Sequence, residues 1–168
     1  MASHPFRVTV VELLRQPGTR RHLSVHGPLS GLALSSAWVP DDADVTADLV
    51  LESQHESLTA TGTVRAAWLG ECRRCLRPVA GVADAHVQEV FERHPTEGET
   101  YALGGDQVDL EPMIRDAALL ALPLTPLCAE VCAGPAPAVH PVRVEADDGD
   151  GRASPDPRWA ALDRLRFD

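Results

Sequence analysis

Two alternating runs separated by a short polar break constrain this chain more than any other feature. Val45, Ala47, Leu49 and Leu51 alternate with Thr46, Asp48, Val50 and Glu52. Leu58, Ala60, Gly62, Val64, Ala66 and Trp68 alternate with Thr59, Thr61, Thr63 and Arg65. Successive side chains of a strand point to opposite faces, so a period of two writes one buried and one wet face. The polar stretch Ser53 to Glu56 joins the runs, which predicts an antiparallel hairpin. A third run follows, with Val79, Gly81, Ala83, Ala85, Val87, Glu89 and Phe91 on one face and Asp84, His86 and Gln88 turned to solvent.

The remaining elements are read around this ribbon. Phe6 to Val10 suits a strand, Gln16-Pro17-Gly18 is a break, and Arg20 to His26 suits a second strand. Residues 27–43 carry turn residues and no clear element. Asp109 can cap a helix with Pro112 in its first turn, where a missing N–H does little harm. Leu110, Met113, Ile114, Ala117, Leu120 and Ala121 fall at helical spacing, and Pro123 ends the run. Residues 134–155 are rich in Gly, Pro and Ala and hold the acidic cluster Glu145 to Asp150, so they read as a flexible linker. Asp156-Pro157 then opens a short helix with Trp159, Leu162 and Leu165 on one stripe. The expected fold class is α+β. It comprises a β-rich antiparallel domain over 1–133 with one or two helices, a flexible acidic segment over 134–155 and a C-terminal helix over 156–168.

Charge narrows the function. The chain of 168 residues has 25 acidic and 15 basic side chains, a net charge of −10. All the cations are Arg, and Lys and Asn are absent, a bias that suits a GC-rich genome. Such acidity argues against an unspecific nucleic-acid coat, but permits a local basic patch or a basic protein partner. No apolar run reaches ~18 residues and the N-terminus has no apolar signal-peptide core, so a cytoplasmic protein without membrane contact is expected. No nucleophile elbow, P-loop, dinucleotide fingerprint or H-E-x-x-H occurs. Neither an enzyme nor a small-molecule substrate is expected.

The four cysteines form two close pairs, Cys72-Arg73-Arg74-Cys75 and Cys128-Ala129-Glu130-Val131-Cys132. Two short chelate loops presenting two thiolates each suit a tetrahedral zinc ion. Four Cys ligands leave no open position, which fits a structural site. Such a site would tie the β-rich half to the helical half. Two disulfides, a redox-active C-x-x-C and plain free thiols are the competing readings. The first disagrees with a reducing compartment, and the second lacks a helix start at the first Cys. His140 lies eight residues past Cys132 and is a possible substitute ligand or a solvated loop residue.

Glu71-Cys72-Arg73-Arg74-Cys75-Leu76-Arg77-Pro78-Val79 resembles the C-x-R-C-L-x-P-V segment of the YceD family. Glu89-Val90-Phe91 is similar to that family's E-x-F. Asp109 to Asp116, Leu119 to Pro123, Pro126 to Cys128 and Cys132 resemble its second motif, and Asp156 to Leu162 its D-P-R-x-x-x-L. These blocks keep the family's order over most of residues 60–168. The resemblance implies a role in accumulation of large-subunit ribosomal RNA, in a family commonly encoded beside a small zinc-ribbon protein of that subunit. The chain departs from the pattern after the second pair, where the family often continues with further cysteines. Ala136 and Val139 stand there instead. Either a second metal site is lost and the first kept, or the ligands are shared differently and no metal binds.

Two kinds of partner follow. Arg73, Arg74 and Arg77 on the first cysteine loop, with Arg65 on the adjoining strand, suit phosphates of a large-subunit ribosomal RNA precursor. The competing fate of these arginines is pairing with local acids such as Glu71 and Asp84. The net charge instead suits a basic large-subunit ribosomal protein. Arg158 and Trp159 on the terminal helix are candidates for folding over either partner, or for docking on the protein's own core.

Overall fold

The computed structural model describes residues 4–136, 138 and 139. The elements in chain order are β1 (Arg7–Thr9), α1 (Val11–Leu14), β2 (Arg20–Pro28), β3 (Ala37–Trp38), β4 (Asp44–Ser53), β5 (Ser57–Glu71), β6 (Pro78–Glu92), β7 (Tyr101–Gly104), β8 (Gln107–Asp109) and α2 (Glu111–Ala121).

The expected hairpin is β4–β5, in register from Val45 opposite Ala66 to Ser53 opposite Leu58. Val45, Ala47, Leu49, Leu51, Leu58, Ala60, Val64 and Ala66 are buried, as their alternation requires. Ser53 belongs to β4 and is buried rather than part of the break. Its N–H donates to Thr19 and its carbonyl accepts from Gly18. The third run is β6, which pairs with β5 along its whole length. Trp68 lies over Gly81 across the β5–β6 pair; a Cβ at position 81 would meet the indole ring at 2.7 Å.

The sheet runs in the order β1-β8-β7-β6-β5-β4-β2, with β3 on β5 beyond the end of β4. Its outer strands come round towards each other. Arg21 Nη1 donates to the Thr9 carbonyl at 3.0 Å, and Gly27 lies against the Pro5 ring. The sheet is thus a curled half-barrel. α2 packs against it with Met113, Ile114, Ala117 and Ala118, and Phe6, Leu58, Phe91, Leu110 and Val108 complete the core.

Several expectations change. β7 and β8 were not legible, and β7 pairs with β6 in parallel at Phe91–Tyr101 and Glu92–Ala102, so the sheet is not wholly antiparallel. Short strands of three or four residues hold too few positions to show a period. Leu110 occupies the N-cap position of α2, while Asp109 Oδ1 accepts the Glu111 N–H at 3.1 Å. Leu120 is 87% exposed and Ala118 is buried instead, because the buried stripe of α2 runs through Met113, Ile114, Ala117 and Ala118 and Leu120 falls at its margin. Pro123 ends α2 as expected, holding Leu122 extended. Most of the 134–155 linker, with His140, and the whole 156–168 helix, with Arg158 and Trp159, lie outside the described residues.

Candidate metal centre

β5 and β6 are joined by six residues, Cys72 to Arg77. The Cys72 N–H donates to the Arg77 carbonyl and the Leu76 N–H to the Cys72 carbonyl, both at 2.9 Å. Leu76 takes φ 60, a left-handed conformation that folds the loop back on itself. No helix begins at Cys72, so the electrostatic setting of a thioredoxin-type thiolate is absent there.

The second cysteine pair arrives from the end of α2. The segment 36–38 guides it: the Ser36 hydroxyl donates to the Leu124 carbonyl at 2.9 Å, and the Ser36 carbonyl accepts the Glu71 N–H at 3.2 Å. The Arg73 N–H donates to the Pro126 carbonyl at 2.9 Å. These bonds stitch the loop after α2 to the end of the ribbon. They bring together cysteines 53 and 60 residues apart in sequence.

Cys72 Sγ lies 3.8 Å from Cys132 Sγ, and Cys75 Sγ 3.7 Å from Cys128 Sγ. All four sulfurs fall within 4.8 Å of one another. All four are free thiols, far beyond the ~2.05 Å of a disulfide. An ion ~2.3 Å from four tetrahedrally placed sulfurs sets their separations at about 3.8 Å. The four side chains therefore have the chemistry and spacing of a closed thiolate metal centre. Cys72 and Cys132 are buried, and Cys75 and Cys128 half-buried.

The surroundings favour thiolate at Cys72 and Cys75 and oppose it at Cys128. The Cys75 N–H holds the Cys72 thiol down to about 6, outweighing its burial. Arg77 lowers Cys75, and the Cys75 and Cys128 sulfurs in turn raise Arg77. Its Nε stands 3.3 Å from Cys75 Sγ and its Nη2 3.4 Å from Cys128 Sγ. Cys128, hydrogen-bonded by the Cys132 and Cys75 sulfurs, is pushed up to about 11. The Gly134 N–H donates to Cys132 Sγ at 3.4 Å. Four thiolates around a divalent ion leave two negative charges, and the guanidinium offsets one of them.

The candidate partner-binding arginines thus separate. Arg65 is engaged, with Asp84 at 2.8 Å and Asp48 at 3.7 Å. Arg77 is turned to the sulfurs. Arg73 and Arg74 are exposed on the loop between the first two cysteines and make no ion pair among the described residues. The sequence pointed to all four alike, because a one-dimensional spacing cannot say which neighbours face one another. The part of Ser36 was not legible at all, since it sits in a stretch without period.

A second group, His4, Asp109 and Glu111, also gathers within 4.8 Å. Its carboxylates already pair with Arg7, Arg115 and His4, which accounts for the cluster without an ion.

The family described as "Large ribosomal RNA subunit accumulation protein YceD" matches residues 60–166. That span includes all four cysteines. Uncharacterized proteins of Mycobacterium bovis and Mycobacterium tuberculosis are 34% identical over 167 residues, covering 94% of this chain and 80% of theirs. One of Mycobacterium leprae is 29% identical, covering 94% and 76%. No solved structure matches.

Proposed function

The chain belongs to the YceD family, and from that premise we propose that it is a non-enzymatic accessory factor in large ribosomal subunit biogenesis, built around a structural zinc ion. Cys72, Cys75, Cys128 and Cys132 would hold the ion, and its chemistry is to cross-link the end of the β5–β6 ribbon to the loop after α2. The observation that carries this reading is the sulfur spacing of 3.7 and 3.8 Å, which matches a tetrahedral thiolate site. The family's further cysteines, replaced here by Ala136 and Val139, are not needed to complete that set. Among the described residues no helix is long and apolar enough to cross a membrane, in keeping with a cytoplasmic role.

A rigid loop carrying Arg73 and Arg74 offers two guanidinium groups to phosphates, and this favours contact with ribosomal RNA precursor. The net charge of −10 favours a second reading, in which the acidic body holds a basic large-subunit ribosomal protein. One set of measurements tests both. The native chain should contain one zinc per molecule, lost in Cys75→Ser; a well-folded chain free of metal would end the zinc reading. Arg73→Glu with Arg74→Glu should abolish co-sedimentation with ribosomal precursors. If binding survives that change and RNase treatment, the protein partner carries the association.

A further inference from the structure

β6 pairs with β5 over its whole length, but on its other side it meets β7 only at Phe91 and Glu92. From Pro78 to Val90 that edge has no strand partner among the described residues. In an antiparallel strand every second residue directs its N–H and C=O away from the partner, so such an edge is a row of ready donors and acceptors. Soluble proteins usually cover or blunt an edge of this length. Here α2 runs beside it and leaves a groove of about 290 Å³.

Ala85 and Val87 of β6 and Ala117 and Leu120 of α2 form the apolar walls. The alanines are small, which is why space remains between strand and helix. Leu120, 87% exposed, stands on the rim with nothing apolar over it. The ionisable groups in the lining are Asp84, His86, Glu89, Tyr101 and Asp116, and no arginine is among them. Asp84 is answered by Arg65. Asp116 accepts the Tyr101 hydroxyl at 2.9 Å, which leaves its charge in place. Glu89 makes no ion pair among the described residues.

We propose that this groove receives an extended basic peptide, which adds to β6 as a further strand. Main-chain hydrogen bonds to the open edge would supply affinity independent of sequence. Alternate apolar side chains would rest on Ala85, Val87 and Leu120. Further along the same face of the added strand, cationic side chains would meet Glu89 and Asp116, and that complementarity selects basic over acidic peptides. The assembly-factor reading enters only as the source of such a peptide, an extended segment of a basic partner.

The test uses the full chain and a fluorescein-labelled eight-residue peptide, Ser-Val-Ser-Val-Ser-Lys-Ser-Lys, the Lys–Val peptide, whose apolar and cationic side chains share one face. In two control peptides Gly replaces both Val residues (Lys–Gly) or Glu replaces both Lys residues (Glu–Val). Binding is read by anisotropy and by amide hydrogen exchange. The Lys–Val peptide should bind, slow exchange within residues 78–90, and weaken about tenfold as salt is raised, since charge attraction is screened. Leu120→Arg and Glu89→Arg should each weaken it by about tenfold. Arg73→Glu with Arg74→Glu should leave it unchanged, which separates this surface from the arginine loop. Equal binding of the Lys–Gly peptide would overturn the proposal, as charge alone would then suffice. So would slowed exchange outside β6. Failure of the Lys–Val peptide to bind would overturn it as well.

Discussion

At one end of the β5–β6 ribbon Leu58 faces Phe91, both fully buried, with Tyr101 stacked on the phenyl ring at 5.4 Å. At the other end the strands run into Cys72 to Arg77, where Cys72 alone is buried. The segment 124–134 that meets this loop is no drier: among its residues just Pro126 and Cys132 are buried, while Leu124, Leu127 and Val131 are exposed. One end is held by apolar area removed from water. The other has too little of it to hold two loops together, and instead gathers four sulfurs and one guanidinium. On the structural-zinc proposal, a thiolate centre would do the work of a core where the chain is too thin to build one.

The largest effect should come from the first end. Phe91→Ala removes a fully buried ring and should cost about 3–5 kcal/mol, read from the urea midpoint. A smaller loss would mean that the core collapses into the gap, and the contrast would blur. On the structural-zinc proposal, treatment of the native chain with a chelator comes next. Amide exchange should rise in residues 72–77 and 124–134 and stay slow in the β4–β5 interior. Melting of β4 with the loop would show that the centre supports the whole fold.

Arg77→Ala should leave the fold in place and weaken zinc by roughly 10–100-fold, the usual cost of losing a group that braces a ligand. The pH dependence has a definite sign. Zinc binds thiolate, so affinity rises with pH. Cys72, at about 6, has shed its proton by pH 8, whereas Cys128, at about 11, must release one on binding. Apparent affinity should therefore fall at least about tenfold from pH 8 to pH 7, measured by competition with a chelator. The smallest effect belongs to Arg65→Ala. Its ion pairs with Asp84 and Asp48 are about half exposed, and their loss should cost no more than about 1 kcal/mol.

Much of the ribbon was legible because its signal is local. In Val45 to Leu51 and Leu58 to Trp68 every second side chain is apolar, and a strand half in water needs nothing more to declare itself. α2 announced its start by Asp109 and Pro112 and its end by Pro123, although the burial of Ala118 in place of Leu120 depended on which side of the helix meets the sheet. β7 and β8 were hidden by their shortness and by pairings with distant partners. The cysteine set was legible as two pairs, since a chelate loop is itself a local feature. That the pairs share one centre is a matter of the Ser36–Leu124 and Arg73–Pro126 bonds, which join residues 88 and 53 positions apart.

The alternating strands, the helix stop and the two thiol pairs were legible along the chain because each depends on neighbours within a few residues, and the acidic balance because it is a matter of composition. Only the tertiary structure decided which arginines are spent and which are open. The fold turned Arg65 to Asp84 and Arg77 to the sulfurs, left Arg73 and Arg74 outward, and left the edge of β6 without a strand among the described residues. Those outcomes follow from how a curled sheet closes on itself, and closure is a property of contacts far apart along the chain.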